Sequence, residues 1–229
     1  MSTTIPILDL SGEIAVLWPQ LTDAVMRVMK SGQFILGPEV AAFENEAGKY
    51  LGVKHAIGCN SGTDALVIAL RAMGIKPGDE VITSPFSFVA TAGAISIISA
   101  TPVFCDIEPV TFNIDPARIE AKITAKTKAI IPVHLFGQAA DMDAIAAIAK
   151  RKGLRVLEDV AQAFGGRYKG KMLGTLGDIS AFSFFPTKNL GAYGDAGLIT
   201  TEDDKLADLA RMLRVHGSKK RYQIGRAHV

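Results

Sequence analysis

Seven short apolar runs punctuate the chain and constrain its fold more than any other feature. They read HAIGC (55–59), EVITS (80–84), PVFCD (102–106), KAIIPVHLF (128–136), LRVLED (154–159), ISAFSF (179–184) and GLITT (197–201). Each has the length of a strand. Between most of them lie stretches with helical spacing: NSGTDALVIALRAMG, Phe88 to Ser99, DPARIEAKI from Asp115, and MDAIAAIAKRKG, which Gly153 ends. A last helix is expected from about Asp203 to Val215. Alternating strands and helices predict an α/β fold: three layers, with a mostly parallel, mixed central sheet covered on both faces. Crossovers should be right-handed. A ligand should then lie beyond the carboxyl ends of the strands, where helix starts gather. Asn60, Phe88, Asp159 and Ser183 all fall at or just after such ends.

The amino-terminal part reads differently. A helix is expected from about Glu13 to Met29, with Ile14, Leu17, Leu21, Val25 and Val28 on one face, ended by Ser31-Gly32. Gly37-Pro38 marks a turn, with Pro38 suited to the first turn of the next helix.

Composition excludes several classes. The net charge of +2 leaves no electrostatic footprint for nucleic acid. Lys219, Lys220 and Arg221 read as a solvated face. Cys59 and Cys105 lie in apolar runs and are expected as buried, reduced thiols. His55, His134, His216 and His228 are scattered without metal-ligand spacing, so no metal is expected. MSTTIPILDL has no basic leader region, which predicts a cytoplasmic protein. Pro85 to Cys105 carries no charge and is long enough to suggest a membrane span. Its serines and threonines and the Ala100-Thr101-Pro102 break fit a buried helix leading into a strand instead, so no membrane is expected.

The chemistry gathers between Leu157 and Gly197. Asp159 follows one apolar strand; Ser183 ends another, and Lys188 comes five residues later in SFFPTKN. Glycines 191, 194 and 197 crowd the lysine. Pyridoxal phosphate (PLP) needs this set: an amine for a Schiff base, a carboxylate to keep the pyridine nitrogen protonated, and hydroxyl and N–H groups for the phosphate. The 29 residues between Asp159 and Lys188 leave room for a connection and another strand, so one sheet could aim both at one ring. Ser61-Gly62-Thr63 opens a helix, whose free N–H groups suit a phosphate; Ser and Thr also cap helices for structural reasons alone. No Walker A or GxGxxG pattern supports an ATP or NAD site.

EDVAQAFG followed by FSFFPTKNLGAYGDAG resembles the DegT/StrS-type sugar aminotransferases, a branch of the aspartate-aminotransferase fold class. SGQFILGPEV, NSGTDAL, GDEVITSPFSFVATAGAI, TPVFCDI, TKAIIPVHLFG and RMLRVHGS fall in the family's order, from about Ile7 to Tyr222. The resemblance implies that Lys188 carries the Schiff base and shuttles a proton as a buried lysine of lowered pKa. It puts Asp159, rather than its neighbour Glu158, on the pyridine nitrogen. Gln162 would reach the ring hydroxyl, Ser183 with Gly62 and Thr63 the phosphate, and Phe88, rather than Phe86, the ring face. Competing structural readings are a surface lysine, a helix cap at Asp159, a polar residue on a short helix at Gln162, and core packing at Phe88.

The implied activity is transamination of a nucleotide-linked keto-sugar with glutamate or glutamine as donor. The implied assembly is a homodimer of the full-length protein. The alternatives are a non-catalytic regulator that binds PLP or a sugar nucleotide, and another PLP enzyme such as an amino-acid lyase. Residues 1–223 are read as an amino-terminal segment plus the large PLP domain. Residues 224–229, IGRAHV, are read as a non-native tail on a carboxyl-terminally truncated chain lacking the small domain, and so expected to be inactive.

Overall fold

The computed structural model describes residues 6–219, so the IGRAHV stretch, Lys220 and Arg221 lie outside the described residues. The chain divides into two units, Met1–Asn45 and Glu46–Val229.

The first unit holds helix α1, Ser11–Ser31, and the start of α2, Pro38–Leu51. Gly32 closes α1 in the left-handed region (φ 65°) and returns its N–H to the Val28 carbonyl at 3.2 Å. Pro19 sits inside α1, a position that the spacing of apolar residues does not register. An ion pair at 3.2 Å joins Arg27 to Glu39.

The second unit is built on a seven-stranded sheet. Its strands are β1 (His55–Cys59), β2 (Glu80–Thr83), β3 (Thr101–Phe104), β4 (Thr127–Ile131), β5 (Arg155–Asp159), β8 (Ile179–Ser183) and β9 (Gly197–Thr201). A separate hairpin, β6 (Arg167–Tyr168) and β7 (Lys171–Met172), lies between β5 and β8 in the chain. The spatial order is β1-β9-β8-β5-β4-β2-β3. β9 pairs antiparallel with both its neighbours, and the other pairings are parallel. The sheet is therefore mixed and mostly parallel, and the carboxyl ends of β1, β2, β4, β5 and β8 share one edge.

Strand alternation divides the core. Val81, Ala129, Ile131, Leu157 and Ile199 face one side, against α3 (Gly62–Ala72), α4 (Ala90–Ile97) and α7 (Asp204–Arg214). Ile82, Ile130 and Val156 face the other, against α5 (Pro116–Ile119) and α6 (Met142–Lys152). Ser61, Asp115, Asp141 and Asp203 cap helix starts with side-chain oxygens, and Gly153 ends α6 at φ 67°.

Several elements differ from expectation. The 128–136 strand stops at Ile131, because Pro132 has no N–H for a ladder; the chain then enters a tight turn at Leu135–Gly137. The helix expected from Phe88 begins at Ala90, leaving Phe88 in a turn. The Asp115 helix is one α-turn followed by a 3₁₀ turn, Glu120–Lys122. Cys105 is buried as expected, whereas Cys59 is only half-buried. Among the described residues no helix is long and apolar enough to cross a membrane; Pro85–Cys105 contains α4 and the body of β3.

Candidate active site

At the carboxyl edge of the sheet a cavity of about 410 Å³ opens, and Lys188, Asp159, Gln162, Ser183, Gly62, Thr63 and Phe88 all line it. A second hollow of about 450 Å³ adjoins it, sharing Gln162, Thr187 and Lys188 and adding Phe136 and Asn189.

Asp159 ends β5 with 3 % of its surface exposed. Its main chain is pinned on both sides: its N–H donates to the Pro132 carbonyl at 2.9 Å, and its carbonyl accepts from His134 N–H at 3.0 Å. The carboxylate accepts from the Thr91 hydroxyl at 2.8 Å and the Ala161 amide at 3.1 Å. Ser87 lies 2.9 Å from the Thr91 hydroxyl, continuing the chain of hydrogen bonds. None of the ion pairs among the described residues involves Asp159. Burial pushes its carboxyl above the usual range, against the opposing pull of Thr91 and the Ala161 amide. No helix follows Asp159, only successive turns, which removes the helix-cap reading and the short helix assumed for Gln162.

Glu158 points to the opposite face of the sheet, as strand alternation requires. It is fully buried and accepts five hydrogen bonds, from His134 Nε2 (3.0 Å), the amides of Gly174 (3.0 Å), Leu176 (2.7 Å) and Gly177 (2.7 Å), and the Ser180 hydroxyl (3.1 Å). The Ala140 amide donates to His134 Nδ1 at 3.1 Å, so that nitrogen carries no proton and Nε2–H is the donor to Glu158. Burial acts to raise the Glu158 carboxyl, but the His134 and amide hydrogen bonds outweigh it and hold it below the usual range.

The phosphate-like end is built by close approach. Ser61 caps α3: its hydroxyl accepts the Asp64 amide at 3.0 Å and donates to the Asp64 carboxylate at 2.9 Å. The Gly62 and Thr63 amides belong to the first turn, where helical N–H groups have no intrahelical acceptor. Gly62 touches β8 so closely that an added Cβ would lie 2.5 Å from Ser183 Cβ. Gly197 performs the same service for β9, since its Cβ would stand 2.2 Å from the Ser61 carbonyl.

Lys188 sits in the loop after β8, held by its N–H to the Phe185 carbonyl (2.8 Å) and by Ala192 N–H to the Phe184 carbonyl (2.7 Å). It is half-buried, not the buried lysine expected: the loop beyond Ser183 leaves the sheet, and Phe185, Thr187 and Asn189 around it are exposed. Phe88 lines the cavity with 65 % of its surface exposed, which excludes core packing. Phe86 does not line the cavity; its ring packs on Phe112 (5.7 Å) and Phe136 (6.4 Å).

The sequence reading missed Thr91, His134, Asp195 and Thr187. Thr91 and His134 were the findable ones, being polar residues inside apolar runs, where burial demands a partner.

PLP fits this donor set. A buried carboxylate that makes no ion pair among the described residues faces a cavity that also holds an amine and, at its glycine-lined end, amides and hydroxyls.

The sequence model described as "DegT/DnrJ/EryC1/StrS aminotransferase family" matches residues 18–228. The chain belongs to that family. The chain is 59% identical over 218 residues to the "Pleiotropic regulatory protein" of Geobacillus stearothermophilus, covering 95% of this chain and 59% of the relative. It is 49% identical to the "UDP-2-acetamido-2-deoxy-3-oxo-D-glucuronate aminotransferase" of Pseudomonas aeruginosa, covering 95% and 61%. The crystal structure of DesV from S. venezuelae superposes with a TM-score of 0.93 at 45% identity, covering 97% of this chain and 60% of that one. The chain thus spans about 60% of the length of these DegT/DnrJ/EryC1/StrS relatives.

Proposed function

We propose that the protein transfers an amino group from glutamate or glutamine to a keto-sugar carried on a nucleotide, with PLP as cofactor. The observation that carries this reading is that Lys188 and the buried Asp159 open onto one cavity. When bound, PLP supplies an electron sink for charge developing on the donor's α-carbon. Asp159 would keep the pyridine nitrogen protonated and would gain there a hydrogen-bonded cationic partner. The Lys188 amine would hold the cofactor's aldehyde carbon and, when free, would take the proton from the donor's α-carbon. Gly62, Thr63 and Ser183 bind the phosphate, Gln162 the ring oxygen, and Phe88 covers one ring face and excludes water. Sugar-nucleotide aminotransferases among the relatives support the substrate class. The reading carries with it a cytoplasmic location and a homodimer of the full-length protein.

A second reading, a PLP- or sugar-nucleotide-binding regulator, is favoured by one observation: the 59%-identical relative is named a pleiotropic regulatory protein. One titration separates the two. Freed of unbound PLP, the purified full-length protein should show a visible absorbance band that disappears when glutamate is added, and Lys188→Ala should not show the wild-type band. A band that persists with glutamate favours the regulator or a lyase; no band in the wild type rejects the cofactor.

A further inference from the structure

We propose that the backbone amide of Phe136 is a positioning group that holds the Gln162 carboxamide with its NH₂ toward the cavity. On this account Gln162 meets its ligand only as a hydrogen-bond donor, and so favours an ionised oxygen there. The ligand half of this rests on the PLP reading above; the tether does not.

A glutamine amide is nearly symmetric in shape, and its hydrogen-bond partners decide which way it faces. Here the partner is unambiguous. The Phe136 N–H lies 3.0 Å from Gln162 Oε1, and a backbone N–H can only donate. The oxygen is therefore turned to Phe136 and the two Nε2 hydrogens to the other side. Gln162 lines both the main cavity and the adjoining hollow, so those hydrogens are available to a ligand.

The turn that delivers this amide is unusual. β4 stops before Pro132, and Phe136 and Gly137 are both in the left-handed region, at φ 53° and 84°. For phenylalanine that conformation is strained. The turn is closed by Gln138 N–H on the Leu135 carbonyl at 2.9 Å, and a Cβ at Gly137 would lie 3.7 Å from the Gln162 carbonyl, so it abuts Gln162 directly. Phe136 is 73 % exposed and its ring packs edge-on against Phe86 at 6.4 Å, while the left-handed turn aims its N–H at Gln162 Oε1.

Two measurements test it. In the cofactor-free protein, amide hydrogen exchange at Phe136 should be slow in the wild type and in Gln162→Glu, which keeps an acceptor. In Gln162→Leu, which has none, it should be faster by about fivefold or more. With PLP bound, Gln162→Glu places an acceptor where the donor stood. The pH midpoint of the visible band should rise by about one unit or more, and affinity should fall about tenfold to a hundredfold. Phe136→Ala, which keeps the N–H, should leave the midpoint unmoved, and a midpoint that moves with it overturns the backbone-amide account. Equal exchange in wild type and Gln162→Leu overturns the tether. A Gln162→Glu protein that binds and titrates like wild type overturns the donor role. A wild type that takes up no PLP removes the cofactor reading and the donor role with it, while exchange still decides the tether.

Discussion

Replacing Asp159 by Asn should strengthen the cofactor-free fold and weaken cofactor binding at once. The carboxylate is 3 % exposed, carries two hydrogen bonds, and none of the ion pairs among the described residues reaches it. Asparagine keeps the shape. Its oxygen can accept the Ala161 amide while its NH₂ donates to Thr91, whose hydroxyl then turns to Ser87. Removing an uncompensated buried charge should stabilise the free protein by about 1 kcal/mol or more at neutral pH. The sign with pH follows from the raised carboxyl. Below the unfolded value of 3.8 both states are protonated and Asn has no advantage; as pH climbs through the higher folded value, the wild type loses stability that Asn retains. The melting-temperature gap should therefore be near zero in acid, widen with pH and level off. Cofactor binding should move the other way. Losing one partner of a buried charge pair costs about 3–5 kcal/mol, or roughly 10²- to 4 × 10³-fold in Kd. Differential scanning fluorimetry across pH, with and without PLP, reads both effects. An Asn variant that melts below wild type at pH 8 without PLP, or binds PLP as tightly, would refute the reasoning.

Glu158→Gln should destabilise the protein by about 2–3 kcal/mol, because an NH₂ must then face groups that are themselves donors. Since this carboxyl is held low, its contribution is present above the unfolded value of 4.5 and lost as pH falls through the folded one; chemical denaturation at descending pH should show the gap to wild type closing. Gly62→Ala forces a methyl to within 2.5 Å of Ser183 Cβ, which should cost about 1–3 kcal/mol by thermal melt and weaken PLP binding in equilibrium dialysis. Gly197→Ala meets the Ser61 carbonyl at 2.2 Å, so it should disturb the β1–β9 pairing and lower the soluble yield of folded protein.

Strand and helix positions were legible because burial periodicity and caps are local. Ser61, Asp203 and Gly153 stop or start helices for reasons contained in a few residues. Strand direction was not legible: GLITT is buried throughout, and nothing in an apolar run tells that β9 alone is reversed. The parity of β5 was hidden for the same reason. Val156 and Leu157 are both apolar and buried, on opposite faces, so only family likeness separated Asp159 from Glu158. The hydrogen-bond partners that set each carboxylate's state come from far along the chain: Thr91 is 68 residues from Asp159, and Gly174 is 16 from Glu158.

The two neighbouring acids show why the functional reading leans on Asp159 more than on Lys188. A half-buried lysine on a loop is compatible with an ordinary solvated charge. A buried carboxylate is not neutral in the same way, because the chain must compensate it or pay in stability. One residue earlier in the same strand the fold does compensate fully, surrounding Glu158 with five donors, one of them a histidine whose tautomer is set by Ala140. The local structure is therefore able to satisfy a buried acid, and at Asp159 it stops at two hydrogen bonds and an open cavity. What Asp159 lacks there is a hydrogen-bonded cationic partner, and a protonated pyridine nitrogen in the cavity would be one.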